Sequence, residues 1–395
     1  VGGCSVAFYP PAGEPATEDT ACVGRLRAAG VLVCGTTTMQ ELGLGVFGFN
    51  VHTGGQCGNP HGAGHVSGGS SSGSAALVAA GLVPFTVGCD GGGSVRVPAA
   101  LCGAVGLKPT FGRVDGWTGT PLVTTTSLGH VGVIACCARD AAVAYAAMAS
   151  GGPGVPLPPA PGGAPASTQV PSLRGLRLGV YRPWFEDAEP AVVRACDAAV
   201  AAMEAAGAEV VPVVVRHLEE ARVAHAAIIM TDMNSSITRL GCDFGSLGLE
   251  PRAKLAVARP WTRESAVYRH ANEVRAAVLR DFEHTFDKVD VMLTPTVGCP
   301  APKASAASTG VLDVQKESAL MRFVLVGNLT GYPAVAVPVG ADADTGMPLS
   351  LQAYAAPWGE ETLLRLAGAL EQLRAAEQPA PREVRCPLDA ARAAK

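Results

Sequence analysis

The sequence has 395 residues, of which 48% are hydrophobic and 16% are charged, and its formal net charge at pH 7 is −4. A chain of this length and apolar content can bury a large core in one or two domains. The small net charge, with no block of like charges, gives nucleic-acid binding no electrostatic support. No run of about 18 consecutive apolar residues predicts a membrane-spanning helix.

The spacing of the cysteines predicts reduced thiols rather than a metal centre. There are twelve, without a CxxC pair or a Cys/His array, so we expect no zinc site and no disulfide scaffold. Buried, reduced thiols are typical of the cytoplasm or another intracellular compartment. The sequence begins at Val1 rather than Met; we interpret it as truncated at its N-terminus, which leaves organelle targeting open.

In chain order, the first predicted element is a helix from Thr20 to Ala29, with Gly30 as its stop. The apolar run at 31–35 then predicts a buried strand, and residues 47–73 form a long irregular segment. A short Ala-rich helix at 74–83 and a strand at 85–90 follow.

Strand and helix keep alternating in the rest of the chain. Turns and short strands are expected at 117–134, and residues 151–172 are a Pro/Gly-rich excursion or linker. The later elements are helices at 139–149, 190–207 and 360–373, a largely helical stretch at 218–285, and strands within 173–183, 208–215, 289–295 and 334–340. This alternation predicts the α/β class.

Two clusters of glycine and serine, GGSSSGS at 68–74 and DGGGS at 90–94, are candidates for chemistry. Four interpretations of these clusters compete: simple turns, a phosphate cradle, a nucleophile elbow and a site for acyl transfer. A phosphate cradle lacks its Walker lysine. The elbow pattern at 69–73 lacks the strand that must precede it.

Acyl transfer uses both clusters together. Three successive glycines allow the backbone to turn with several N–H groups facing one point, beside the hydroxyl of Ser94. Such a group of donors can hold the oxyanion that forms when a hydroxyl attacks a carbonyl. A serine hydroxyl is a weak nucleophile without a proton relay, and the other cluster can supply one.

The segment from 68 to 114 resembles the signature segment of the amidase signature family, in which the nucleophile lies 24 positions after the first serine of GGSS, as Ser94 lies after Ser70. Further blocks resemble the family in order from about residue 18 to 375, among them TMQELGLG, VDVMLTPTVGCPAP, NLTGYPAVAVPVG and MPLSLQAYAAPWG. The resemblance implies a large mixed, twisted β-sheet with helices on both faces. It also implies one domain over 1–395, with a signature half at 1–150, the excursion at 151–172, a C-terminal half at 173–375 and a tail at 376–395.

The resemblance also implies the roles of the site residues. Ser94 is the implied nucleophile and Ser70 the bridging serine on a cis peptide bond, and we expect their hydroxyls to lie in contact. The implied oxyanion donors are the backbone amides of Gly91, Gly92, Gly93 and Ser94, and the implied supporting residues are Ser71, Asp90 and Arg96.

The implied reaction is hydrolysis of a small-molecule amide to an acid and an amine, without a metal or organic cofactor and without a nucleic-acid partner. Assembly as a homodimer stays open. The DGGGSVRVP context is more similar to the fatty-acid amide hydrolase branch than to the amidotransferases that act on glutamyl-tRNA, in which the arginine is commonly followed by Gln. The identity of the amide does not follow from the sequence.

The sequence departs from the family pattern in two respects. The family's catalytic lysine lies far upstream of the bridging serine, and counting back from Ser70 ends just before Val1. We interpret this as truncation; the alternatives are a catalytically impaired homologue, a non-catalytic scaffold and an amidotransferase-type subunit. Lys108 matches a different, structural family position, and Cys89 stands where relatives carry Thr or Ser, although a thiol is the poorer donor.

Three further residues have alternative interpretations. Arg96 orients the loop or meets a polar substrate group, or else it forms a structural ion pair with an acid such as Asp90. Met39 and Phe47 line an acyl pocket or, as we favour, belong to the core. None of the eight histidines has a context that assigns it to catalysis.

Overall fold

A computed structural model describes residues 18–116, 127–150, 172–239, 243–304 and 313–374. The helices in these ranges are α1 (Ala21–Ala28), α2 (Ser72–Ala79), α3 (Arg96–Cys102), α4 (Ala138–Met148), α5 (Arg182–Phe185), α6 (Pro190–Ala205), α7 (Leu218–Arg239), α8 (Leu249–Ala258), α9 (Ala266–Phe286), α10 (Val314–Met321), α11 (Leu325–Thr330) and α12 (Glu360–Leu373). The strands are β1 (Phe49–Asn50), β2 (Gly55–Gln56), β3 (Gly58–Asn59), β4 (Gly62–Val66), β5 (Phe85–Asp90), β6 (Val105–Lys108), β7 (His130–Ala135), β8 (Arg177–Val180), β9 (Glu209–Pro212), β10 (Val291–Pro295), β11 (Ala334–Ala341) and β12 (Pro348–Ala355).

The main sheet has eight strands in the order β5-β7-β6-β11-β12-β10-β8-β9. The pairs from β5 to β10 are antiparallel, whereas β8 is parallel to both β10 and β9. Strand β6 from the first part of the chain pairs with β11 from the last part, with Leu107 opposite Val335. The two parts on either side of residues 151–171 therefore share one sheet.

Alternate side chains of the central strands enter two different cores, because successive residues of a strand point to opposite faces of the sheet. On one face, Leu351 and Ala353 of β12 pack with α4, α6 and α12. On the other face, Tyr354 packs with apolar residues of α7 and α9. The predicted α/β class, with a mixed sheet covered by helices on both faces, is confirmed.

Most of the predicted elements are present. Strand β5 and helix α12 have the predicted bounds, and helices α1, α2, α4 and α6 lie close to theirs, with ends that differ by a few residues. The predicted strand at 31–35 is wrong. Leu32 is 86% exposed and Val33 45% exposed, and none of the described strands pairs with this segment. Nearly all of the Pro/Gly-rich excursion, residues 151–171, lies outside the described residues, as do residues 117–126.

The cysteines in the described ranges are not joined by disulfide bonds. Cys22, Cys102, Cys196 and Cys299 are buried, whereas Cys34 and Cys136 are exposed. Burial raises the pKa of the Cys196 thiol and of the other buried thiols, because it disfavours the thiolate. Across the described ranges, no helix combines the length and the apolar character needed to cross a membrane.

Candidate active site

The two glycine- and serine-rich segments lie side by side at the ends of elements that pack together. Residues 68–71 precede α2, and residues 91–95 form the turn between β5 and α3. The backbone N–H of Ser71 donates to the carbonyl oxygen of Ser94 at 3.2 Å. The fold therefore joins the segments of Ser70 and Ser94, as the acyl-transfer interpretation requires.

Ser70 lies in a tightly bonded bend. The peptide bond between Gly69 and Ser70 is cis, as the family resemblance implies. The carbonyl oxygen of Ser70 accepts hydrogen bonds from the N–H groups of Ser72 at 2.9 Å and Gln40 at 3.0 Å. Ser70 is 3% exposed and Ser94 is 9% exposed, so both serines are withdrawn from bulk solvent.

The triple-glycine turn is organised by the carboxylate of Asp90. Its Oδ1 accepts from the N–H of Gly93 at 2.7 Å, and its Oδ2 accepts from the N–H of Val95 at 3.1 Å. Because the Gly93 amide is already engaged, it cannot serve as an oxyanion donor in this arrangement. Among the described residues, the amides of Gly91, Gly92 and Ser94 have no acceptor.

Asp90 forms an ion pair with Arg96, and both side chains are fully buried. The Nη2 and Nε groups of Arg96 donate to Oδ1 and Oδ2 of Asp90, each at 3.0 Å. Burial acts to raise the pKa of Asp90, but the guanidinium outweighs it and holds that pKa well below its usual value. Of the alternatives for Arg96, the structure contains the ion pair with Asp90.

The same arginine connects the turn to the C-terminal part of the chain. Nη1 of Arg96 donates to Oε1 of Gln352 on β12 at 2.7 Å, and Nη2 donates to Oδ1 of Asn328 on α11 at 2.7 Å. The amide of Asn328 donates in turn to the backbone oxygen of Asp90 at 2.7 Å and to its Oδ1 at 2.9 Å. The turn that carries Ser94 is thus held in place by side chains from two distant elements.

The two candidate pocket residues, Met39 and Phe47, have different surroundings. A Cβ on Gly43 would lie 3.6 Å from the Ser70 Oγ and 3.9 Å from the Met39 Cε, so both side chains approach Gly43. Phe47 is buried in a core cluster that includes Val66 and Leu101. Phe47 therefore belongs to the core, as the sequence favours, whereas the role of Met39 as a pocket residue stays a prediction.

Gln40 holds the segment before Ser70 with its side chain. Its Oε1 accepts from the amides of Gly48 and Phe49, both at 2.8 Å. Its Nε2 donates to Oε2 of Glu250 on α8 at 2.9 Å. The sequence does not assign a role to Gln40, Asn328 or Gln352, although TMQELGLG, NLTGYPAVAVPVG and MPLSLQAYAAPWG, which contain them, carry the family resemblance.

The ammonium groups of Lys108 and Lys254 are each engaged by oxygen atoms. Nζ of Lys108 donates to the carbonyl oxygens of Tyr332 at 2.6 Å and Pro109 at 3.2 Å, and burial places its pKa well below the usual value. Nζ of Lys254 lies 2.8 Å from Oε1 of Glu250. Burial acts to lower the pKa of Lys254, but the neighbouring carboxylates raise it above its usual value.

The described residues contain no group of three or more His, Cys, Asp or Glu side chains that could hold a metal ion. The two serine hydroxyls and the amides of the triple-glycine turn lie around the buried pair of Asp90 and Arg96. These are the groups used in acyl transfer through a serine ester.

Comparison with known proteins agrees with this arrangement. The Amidase family profile matches residues 4–364. The chain belongs to the Amidase family.

Individual relatives cover most of the chain. The fatty acid amide hydrolase of Medicago truncatula is 39% identical over 90% of this chain and 60% of its own length. That of Arabidopsis thaliana is also 39% identical, with the same coverage of both chains. The chain thus spans about 60% of the length of the plant fatty acid amide hydrolases that it matches. A glutamyl-tRNA(Gln) amidotransferase component of Koribacter versatilis is 31% identical over 91% of this chain and 79% of its own.

A solved structure of 6-aminohexanoate cyclic dimer hydrolase, complexed with substrate, superimposes with a TM-score of 0.79. It is 28% identical, and the match covers 92% of this chain and 80% of that one. The fold described above is therefore that of the family.

Proposed function

We propose that this protein is an amidase that hydrolyses R–CO–NH–R′ bonds through a serine acyl-enzyme. Ser94 is the nucleophile and Ser70 is the proton relay. The observation that carries the proposal is the hydrogen bond from the Ser71 N–H to the Ser94 oxygen, which joins the cis-serine bend to the triple-glycine turn in a chain of the amidase family.

The proposed first step forms an ester. The Ser94 oxygen bonds to the amide carbon, its proton passes to Ser70, and the carbonyl oxygen becomes an oxyanion. The amides of Gly91, Gly92 and Ser94 donate to that oxyanion, and the site's low exposure strengthens these hydrogen bonds. Ser70 then gives a proton to the amide nitrogen in place of the one that it accepted from Ser94, the C–N bond breaks, and the amine departs.

The second step consumes water. A water molecule adds to the ester carbon, the C–O bond to Ser94 breaks, and the acid leaves with the hydroxyl restored. We assign the proton transfers from Ser94 to Ser70 and from Ser70 to the leaving nitrogen, and none to a lysine of this chain, since Lys108 and Lys254 are committed to the carbonyls and carboxylates described above.

We further propose that the acyl group is a long apolar chain. The 39% identity to plant fatty acid amide hydrolases supports this choice. So does an apolar cluster next to Gly43, in which Leu42 and Leu44 pack with Met233, Ile237 and Leu255. A glutamine-type acyl group, as an amidotransferase would use, gains nothing from such surroundings.

The test is covalent labelling of the full-length protein with a fluorophosphonate probe, followed by an assay of amide hydrolysis. Ser94→Ala should abolish both labelling and turnover. Ser246→Ala, which changes an exposed serine, is the matched control and should leave both unchanged. Labelling that persists in Ser94→Ala rules out the nucleophile, and a wild-type protein that is neither labelled nor active supports the non-catalytic alternative.

A substrate panel tests the acyl group. We expect kcat/KM to be higher for N-acylethanolamines and long-chain primary amides than for short aliphatic amides or glutamine. Turnover of acetamide or glutamine with inertness toward the long-chain amides would contradict the apolar assignment while leaving the amidase chemistry intact.

A further inference from the structure

The imidazole of His225 lies directly against the triple-glycine turn. His225 is on α7 and is 2% exposed. Its Nε2 is 2.8 Å from the carbonyl oxygen of Gly91. Because a carbonyl oxygen only accepts, Nε2 must carry the hydrogen. Burial lowers the pKa of His225 to about 4, so the ring is the neutral Nε2–H form at neutral pH.

The contact leaves no room for a side chain on the turn. A Cβ on Gly92 would lie 2.9 Å from Cε1 and 3.1 Å from Nε2 of His225. The backbone of the turn therefore rests on the ring itself. A glycine at this position is required by that close approach.

The hydrogen bond fixes the direction of the next amide. In a planar trans peptide, the C=O of one residue and the N–H of the following residue point in opposite directions. When His225 holds the Gly91 oxygen on the α7 side, the Gly92 N–H points away from α7. This direction matters because Asp90 already occupies the Gly93 amide, which leaves fewer donors for an oxyanion.

We propose that His225 is a positioning residue, which holds the Gly91–Gly92 peptide so that the Gly92 N–H donates to the oxyanion formed during acylation of Ser94. This inference rests on the proposed amidase function and deepens it. His225 contacts the backbone of the turn, so we expect its loss to lower the rate of the chemical step and to leave KM almost unchanged.

The experiment compares His225→Leu with His225→Gln in the full-length protein. Loss of an oxyanion donor typically lowers the rate by about 10²–10³-fold; for a donor that is misdirected rather than removed, we expect kcat and the fluorophosphonate labelling rate to fall by at least about tenfold in His225→Leu, with KM within about threefold. The Gln side chain can place its Nε2 near the position of the imidazole Nε2, so His225→Gln should recover most of the lost rate.

The matched control is His270→Leu, since His270 has a side chain that is 78% exposed and lies on α9. It should keep the wild-type rate. If His225→Leu does not fold, His225→Asn replaces it, because the shorter amide cannot reach Gly91. The labelling rate and kcat of His225→Asn must then be lower than those of His225→Gln by at least about tenfold.

Two outcomes overturn the inference alone. In the first, His225→Leu has the same labelling rate and the same kcat as the wild type. In the second, His225→Gln is no faster than His225→Leu or His225→Asn. A wild-type protein that is neither labelled at Ser94 nor active on amides overturns the proposed function, and this inference with it.

Discussion

The carboxylate of Asp90 and the guanidinium of Arg96 meet through two hydrogen bonds of 3.0 Å, and neither side chain is exposed to solvent. The pair lies beneath the turn that carries Ser94, and each partner also holds backbone or side-chain groups of other elements. Removing one charge therefore removes more than one interaction.

We expect Asp90→Asn to lower the free energy of unfolding by about 3–5 kcal/mol, because it leaves a buried guanidinium without its counter-charge. Urea denaturation at neutral pH measures this loss. Asp197→Asn is the matched control, since Asp197 pairs with Arg182 at the surface. Exposed ion pairs contribute up to about 1 kcal/mol. Equal losses in the two variants would contradict the structural role of the buried pair.

Gly93 tests the packing of the turn. Its φ is +104°, and a Cβ there would lie in severe overlap with the Cγ2 of Val324. Gly93→Ala should cost roughly 2–4 kcal/mol of stability through strain and overlap, and it should abolish labelling of Ser94.

Gly175→Ala separates the two causes of that loss. Gly175 has a φ of +78° with no atom within 4 Å of its Cβ position. Only backbone strain of roughly 1 kcal/mol is expected there. Normal labelling in Gly93→Ala would show that the turn tolerates a side chain.

Lys108 tests whether a lysine of this chain serves as the base. Lys108→Met leaves the carbonyls of Tyr332 and Pro109 unsatisfied, so stability should fall by about 1–3 kcal/mol. The labelling rate of the folded variant should stay within about threefold of the wild type. Lys288→Met, at an exposed position, should change neither quantity. A loss of about 10²-fold or more in the labelling of folded Lys108→Met, typical of general-base removal, would make Lys108 the base.

Glu371 makes stability depend on pH. Its carboxylate accepts from the Ala138 N–H at the start of α4, at 2.9 Å, and burial raises its pKa from 4.5 to about 7. Between these values the unfolded chain has released its proton while the folded chain still binds one. The free energy of unfolding therefore falls as pH rises from 4.5 to about 7, and this contribution is constant above that range.

Glu371→Gln removes this titration and keeps the acceptor. From about pH 4.5 to about pH 8, its stability should rise relative to the wild type by about 2–3 kcal/mol. Thermal or urea unfolding across that range measures the difference. Parallel stability curves for the two proteins would exclude Glu371 as the titrating group.

The sequence predicts elements best where local signals mark their ends. Helix α12 alternates apolar and polar residues at helical spacing, and β5 lies between Pro84 and the glycines that follow Asp90. Strand β12 is not predicted, because it is buried on both faces and places the polar Gln352 inside the sheet. At 31–35 the apolar run misleads, since an apolar segment forms a strand only where a neighbouring strand completes its hydrogen bonds.

The residues of the candidate site, too, are predicted where the signal is local in the sequence. The spacing of Ser70 and Ser94 is local enough to carry a resemblance. The partners of Arg96 cannot be recognised in the same way. Asn328 and Gln352 lie 232 and 256 positions away, and only the fold brings them to the turn. The side chain of His225 is 134 positions from Gly91 and has no flanking motif.

The pairing of β6 with β11, and of Arg96 with Gln352, joins parts of the chain that the ribosome synthesises far apart in time. Both serines leave the ribosome early, whereas the strand that braces their turn emerges more than two hundred codons later. A nascent chain that already carries Ser70 and Ser94 therefore still lacks Gln352, and we expect the turn of Ser94 to become rigid only when strand β12 docks.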